Sequence, residues 1–246
     1  MTMHRSGAHP HQEASPLVRC LTDLANTPDD DVDLDRRLVT VAMLAAERIA
    51  AADYASITTQ RDGGYVTVAA SSEVARAVDE AQYGGNSGPC LDSVDTGAPV
   101  PVPEIGTAMQ WPGFREEAFR LGLRASLSIP LFAGSGSPIA ALNLYGRDHG
   151  VMAPLIEAVL TVFGAETDSD ETDDPWPGAL DDGGRELVAG LVESYAIRAT
   201  IQRAIGVLIG RESCTAGEGY QVLRDRAAET RRTLRQTAAG LLAEKM

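Results

Sequence analysis

Residues 125–145 read ASLSIPLFAGSGSPIAALNLY, and the fold class turns on them. Ala125–Phe132 and Ile139–Tyr145 are short, mostly apolar runs, and the AGSGSP between them is a cluster of turn formers. Two such runs joined by such a cluster predict a strand–turn–strand hairpin. Upstream, Gly113–Leu121 reads as a short helix, Pro99–Val102 as a short strand, and Gly84–Gly97 as a loop built around GGNSGPC. Before that loop, Ser72–Gln82 is helical, with Ser72 as its N-cap. A second hairpin precedes it, with strands Tyr54–Gln60 and Tyr65–Ala70 on either side of Asp62-Gly63-Gly64. Asp33–Ala51 is a helix, apolar at Leu34, Leu38, Val41, Leu44, Ala45 and Ile49. Downstream, Pro154–Ala165 closes the unit as another helix. This order of elements predicts an α+β domain with a largely antiparallel sheet.

The chain of 246 residues has room for two domains of ordinary size. Apolar residues make up 44% and charged residues 23%, a globular composition; aromatics are only 5%, so the core must be mainly aliphatic. The charge is uneven. Residues 183–246 hold ten Lys and Arg against seven Asp and Glu, net +3, whereas residues 1–182 carry −17. This excludes nucleic-acid or anionic-membrane binding by the chain as a whole and leaves room for one basic unit. The change in charge coincides with residues 166–184, ETDSDETDDPWPGALDDGG, which hold eight acids, two prolines and no Lys or Arg. An acidic linker over 166–183, stretched by its own repulsion, is expected there. Residues 1–14 are expected to form a disordered polar tail, with His4, His9 and His11 in it and no apolar run of a signal peptide. No apolar run is long enough to span a membrane. Cys20, Cys90 and Cys214 form no CxxC pair, so neither a structural zinc site nor a disulfide framework is expected, and a reducing, cytoplasmic setting fits.

The C-terminal unit, 184–246, reads as all-α. Leu187, Leu191, Ser194, Arg198, Ile201, Ile205 and Leu208 step by four and three along Arg185–Arg211, a coiled-coil-like seam interrupted at Ser194 and Arg198. A second stripe, Ile197, Ile201, Ala204 and Leu208, widens its apolar face. The seam predicts a homodimer through the helix starting near Arg185. Thr215 and Glu218 form a capping box that opens a second helix burying Tyr220, Leu223 and Ala227. Thr230 is expected to cap a third helix burying Leu234, Ala238 and Leu241. The result is a small three-helix bundle.

GGNSGPCLDSVDTGAPV, WPGFREEAFRLGLRASLSIPL and AALNLYGR resemble the GAF domain, a sensor module of bacterial signalling proteins, over residues 15–165. The resemblance implies a six-stranded antiparallel sheet with helices on both sides. It also implies a pocket between sheet and loops, which in some members takes a cyclic nucleotide or a tetrapyrrole; Cys90, Leu91 and Trp111 are the candidates for its lining. A reactive Cys90 would need electropositive surroundings, but Asp92 and Asp95 are the local charges, so a buried structural thiol is the stronger reading. Trp111 reads as packing rather than as a stacking platform.

IRATIQRAIGVLI, GYQVLRDRAAE and RRTLRQTAAGLL resemble the ANTAR domain, an RNA-binding module of transcription antitermination regulators, over about Arg185–Ala243. The resemblance implies binding to tandem short hairpins in nascent RNA. Ile205 stands where the family usually has Lys, Arg231 and Thr233 where Asn and Lys are common, and Gly219 where Ala is usual. Candidate RNA contacts are Arg198, Arg203, Arg224, Arg231, Arg232 and Arg235, because guanidinium forks grip phosphates and stack on unpaired bases. The bland alternative is a solvated helix face paired with Asp225 and Glu229. Tyr220 reads as core.

No P-loop, HExxH, GxSxG or GxGxxG is present, so no catalytic residues are expected. No metal and no cofactor are expected either, beyond an unidentified small-molecule ligand of the sensor; Asp29-Asp30-Asp31 reads as a solvated run. The reading is a signal-responsive, RNA-binding regulator of transcription acting by antitermination. Two others stand beside it: a DNA-binding regulator with the same sensor, and a ligand-binding protein whose helical tail merely dimerises.

Overall fold

The structure, a computed structural model, describes residues 14–164 and 180–244. Most of the expected tail (1–14) and most of the expected acidic linker (166–183) lie outside the described residues. The first unit runs α1 (Pro16–Ala25), α2 (Leu34–Arg48), β1 (Tyr54–Arg61), β2 (Gly64–Ala70), α3 (Glu73–Gly84), α4 (Pro89–Thr96), β3 (Val100–Val102), α5 (Pro112–Arg120), β4 (Ala125–Phe132), β5 (Pro138–Gly146) and α6 (His149–Gly164). The second runs α7 (Asp182–Glu212), α8 (Ala216–Thr230) and α9 (Leu234–Ala243). No helix among the described residues is long and apolar enough to cross a membrane.

The sheet is antiparallel throughout, in the order β2-β1-β5-β4-β3, with five strands among the described residues rather than the expected six. The stretch expected to be a loop, 84–97, is spent on a helix instead. Pro89 starts α4 at its first position, where a missing N–H does no harm, and Gly97 stops it in the left-handed region at φ 66°. The strand after it, β3, is held to three residues by the alternating prolines of APVPVP.

The two faces of the sheet differ in chemistry. Leu127, Ile129 and Leu131 of β4, Leu142 and Leu144 of β5 and Ile57 of β1 point to one face and join the main core with α1, α2 and α6. Ser126 and Ser128 of β4, Asn143 and Tyr145 of β5, and Ser56 of β1 are paired across strands on the other face, beneath α3 and α4. Both faces are buried, as in a sheet layered between helices.

The boundary expected at residues 183 and 184 falls inside the 31-residue helix α7. Leu187, Val188, Leu191 and Tyr195 in its first half belong to the core of the first unit. Its approach to the neighbouring helices is close. A Cβ on Gly183 would land on the Arg48 carbonyl at the end of α2, and one on Gly190 would come within 2.6 Å of Leu21 Cδ1 and 3.2 Å of Val18 Cα on α1. Arg48 forks onto Glu186, its Nε donating to Oε2 at 2.7 Å, and the pairing holds the Glu186 carboxyl below its ordinary range. Tyr195 sits edge-on to Phe132 and Phe163, at 6.0 and 5.9 Å between centroids.

The second half of α7 packs Ile197, Ile201, Ala204, Ile205 and Leu208 against Leu223 and Ala227 of α8 and Leu234, Ala238 and Leu241 of α9. The seam read as a dimer surface is therefore consumed within the chain: Leu187, Leu191, Ile201, Ile205 and Leu208 are all buried. Its interruption at Arg198 is a contact with the sheet. The guanidinium lies 3.9 Å from the centre of the Phe132 ring, and Nε donates to the Gly136 carbonyl at 2.9 Å. The cap of α9 also differs from expectation. Thr230 ends α8, and Thr233 caps α9 in a capping box with Gln236.

Candidate functional site

The candidate arginines sit on α7, α8 and α9 and in the turn between α8 and α9. Arg231 is the left-handed residue that terminates α8, at φ 54°, and Arg232 follows it in the turn. Both side chains are exposed, as are those of Arg203 on α7 and Arg235 in the first turn of α9. With Thr230 expected as the cap, Arg231 and Arg232 would open the third helix; that helix starts after Thr233 instead, which leaves both before it and Arg235 in its first turn. Arg235 Nη1 lies 3.5 Å from Glu193 Oε2 of α7. Arg203 Nε donates back to the Ala199 carbonyl at 3.3 Å. Arg226, which the sequence reading does not single out, pairs with Glu212 at 3.4 Å.

The departures from the family pattern have local causes. Ile205 is buried in the bundle core, and a Cβ on Gly219 would touch its Cγ2 at 3.4 Å. The larger apolar side chain and the missing methyl face each other. Thr233 supplies the hydroxyl that caps α9, accepting from Gln236 N at 3.1 Å.

The bundle also meets the first unit through two loops. From the α1–α2 loop, Asp30 Oδ2 pairs with Arg224 Nη1 at 2.5 Å, Asn26 Oδ1 accepts from the backbone N–H of Arg235 at 3.2 Å, and Asp29 N donates to the Tyr220 hydroxyl at 3.4 Å. From the β4–β5 loop, the Ser135 carbonyl accepts from Gln202 Nε2 and that of Gly136 from Arg198. Gly134 is pressed into the bundle: a Cβ there would come within 2.5 Å of Leu234 Cδ1 and 2.7 Å of the Tyr220 oxygen. Asp29-Asp30-Asp31, read from sequence as solvated, is therefore part of this contact.

A second candidate site is the polar face of the sheet. Asp79 of α3 is fully buried there, accepting from Tyr145 Oη at 2.6 Å, Thr67 Oγ1 at 2.8 Å and Ser56 Oγ at 3.0 Å. Burial pushes its carboxyl up to about 6, and these three donors restrain the rise. Gln82, one helical turn on, donates to Tyr145 and accepts from Cys90 N at 3.0 Å. A Cβ on Gly88 would collide with the Gln82 side chain, which is a reason for the last glycine of GGNSGPC. The Oγ atoms of Ser93, Ser126 and Ser128 and Oδ1 of Asn143 are buried with no hydrogen-bond partner among the described residues. Sequence reasoning missed this network; its signal is the alternation of Ser126, Ser128, Asn143 and Tyr145 with leucines and isoleucine.

The expected pocket residues border this face. Cys90 and Leu91 are buried in α4, and burial raises the Cys90 thiol well above its ordinary value, which leaves it protonated and unreactive. Trp111 is half-buried outside it, donating from Nε1 to Asp92 Oδ2 at 3.0 Å. A groove of about 390 Å³ lies elsewhere, where α2, α6 and α7 meet; its one carboxylate, Asp181, caps α7 and accepts from Ala51 N at 3.1 Å. Among the described residues no three His, Cys, Asp or Glu side chains are grouped to hold a metal.

No curated protein matches the chain. Among solved structures, a domain of a protein described as a two-component sensor histidine kinase, from Sinorhizobium meliloti 1021, is 17% identical over 75% of this chain and 99% of that one, with a TM-score of 0.37. A GAF domain model matches residues 33–167 and an ANTAR domain model residues 189–242. The first match spans more than half the chain, the second lies on α7, α8 and α9, and the chain thus belongs to the GAF domain family and continues into an ANTAR domain.

Proposed function

We propose that this chain is a signal-responsive regulator that binds tandem short hairpins in nascent RNA, so that a terminator does not form. The observation that carries the reading is the ANTAR match over 189–242, on the one part of an otherwise acidic chain whose net charge is positive. Arg231, Arg232 and Arg203 are the phosphate contacts available as the chain stands; Arg224 and Arg235 join them when their acidic partners release them. Arg198 serves the contact with the sheet. Two hairpins call for two bundles and hence two copies of the chain, meeting on a face other than the buried α7 seam. The sensor's small-molecule ligand belongs at the polar face under α4, where buried hydroxyls lack partners. Regulation proceeds by mass action on RNA structure, with no bond made or broken. The division into sensor (15–165), acidic linker (166–183) and RNA-binding unit (184–246) is one of roles; the first half of α7 packs with the sensor.

The test is binding of a labelled RNA with two tandem stem–loops, against duplex DNA. Replacing Arg231→Gly and Arg232→Ala together should weaken RNA binding by about 2–4 kcal/mol, on the scale of charge-assisted hydrogen bonds. The salt slope should flatten by somewhat under two units. Glycine suits the left-handed position of Arg231, so the helices should remain intact. Unchanged affinity and slope would remove this face from consideration, and preference for the duplex would favour the DNA-binding alternative.

A further inference from the structure

We propose that the sensor's α1–α2 loop stands on the bundle in the place of nucleic-acid phosphate, so that sensor docking and RNA binding exclude one another. The inference rests on the RNA-binding reading above. The three acids of the loop have separate tasks. Asp29 Oδ1 accepts from Ser135 N at 2.8 Å and ties the loop to the β4–β5 loop; Asp31 Oδ1 accepts from Asp33 N at 2.8 Å and shapes the loop itself. Asp30 has neither task, and its carboxylate is on Arg224. Four residues earlier, Asn26 presents an oxygen to the N–H of Arg235 in the first turn of α9. An oxyanion on a guanidinium and an oxygen at the open N–H groups of a helix N-terminus are how a phosphate backbone is held. The loop thus offers the bundle the acceptors that RNA would offer.

The contact is built to be released. The Arg224 and Asp30 side chains are 30% and 67% exposed, a weak pairing that salt screens. Around it the contact is mostly polar; its apolar part is Ala25 at the end of α1, buried with the bundle core, and the close approach of Gly134 to Leu234. The loop spans Asn26–Asp33, just beyond Ala25, so Asn26 and Asp30 can leave the arginines while Ala25 stays in the bundle core with Leu223, Leu234 and Leu241. Because α1 packs along α7, a change in the sensor reaches the loop directly.

The experiment compares four full-length proteins on one probe, a fluorescent RNA of two tandem stem–loops with randomised loop sequences. They are the wild type, Asp30→Asn, Gly134→Leu as a wedge, and a locked form. The lock joins Ser135→Cys to Gln202→Cys by a reducible thiol crosslinker, in a background of Cys20→Ser and Cys214→Ser. Asp30→Asn should bind RNA about two- to fivefold tighter at low salt, and like wild type at high salt. The wedge should bind at least tenfold tighter. The lock should bind at least tenfold weaker and recover on reduction. Equal affinities in the wild type, Asp30→Asn and the reduced and locked forms overturn the proposal and leave the RNA reading standing, whether or not the wedge folds. Absence of binding in every form, Asp30→Asn and the reduced lock included, overturns the RNA reading and the proposal with it.

Discussion

Replacing Asp79 by Asn isolates the energetics of the buried polar face. In the folded chain the Asp79 carboxyl is raised from the ordinary 3.8 to about 6, chiefly because it is sealed from water. Between those values the folded protein holds a proton that the unfolded chain has released. Wild-type stability should therefore fall as pH rises through that window, and the fall should be complete above about pH 7. The gap corresponds to about 3 kcal/mol at 1.36 kcal/mol per unit. Asparagine fits the same donors. Its oxygen can accept from Ser56 and Tyr145, and its NH₂ can donate to Thr67 Oγ1, whose proton then turns to the Tyr83 hydroxyl 2.8 Å away. It has no proton to lose. Urea unfolding of both proteins from pH 4 to pH 8 gives the difference in stability, in which every other titrating group cancels. That difference should move by about 2.5 kcal/mol in favour of Asp79→Asn between the two ends, since at pH 4 the unfolded chain has already released part of its proton. A difference constant with pH would mean that Asp79 titrates as in the unfolded chain and that the face is wet.

Other perturbations test the packing. Gly183→Ala should destabilise the chain by about 1–3 kcal/mol, because the methyl lands on the backbone of Arg48, whereas Gly206→Ala in the same helix faces open space and should stabilise it by about 0.5–1 kcal/mol; opposite shifts in melting temperature are the check. Arg198→Ala should lose about 1–3 kcal/mol in chemical denaturation, from the Phe132 ring and the Gly136 carbonyl together, and Arg198→Lys should recover only part, since an ammonium does not lie flat on a ring. Leu223→Ala, fully buried in the bundle, should lose about 2–5 kcal/mol by the same measurement.

The strands and the longer helices were legible because their periodicities follow burial directly: Leu38, Val41 and Ala45 on α2 are core, as are the alternating leucines and isoleucine of β4. What escaped has identifiable causes. Helix α1 carries Leu17, Leu21 and Leu24 at helical spacing behind Ser15 and Pro16, a signal present in the sequence but brief beside the polar tail before it. Helix α4 hides among glycines, because Pro89 reads as a breaker unless it stands at the first helical position. The cap of α9 turned on which of two threonines has Gln or Glu three residues later; Thr233 does, with Gln236, and Thr230 does not. The candidate site was legible only in part. The sequence picked out the arginines, but it could not say that Arg224 and Arg198 are occupied by segments 194 and 62 residues away. The buried Asp79 network was illegible because polar residues alternating in a strand ordinarily mark a wet face, and here α3 and α4 cover it.

Helix α7 makes the connection between sensor and bundle a lever. At 1.5 Å per residue its 31 residues extend about 46 Å, with the first half clamped by Gly183, Gly190 and the Arg48–Glu186 fork. Within it the helical hydrogen-bond ladder is continuous and there is no proline, so it has no joint at which the two halves could swing independently. The part beyond the clamp, about 33 Å from Gly190 to Glu212, converts angle into distance: a tilt of about 5° carries the far end through about 3 Å. A tilt of the clamped half too small to change the fold around it would thereby shift the turn between α7 and α8, where Ser213 ends the helix.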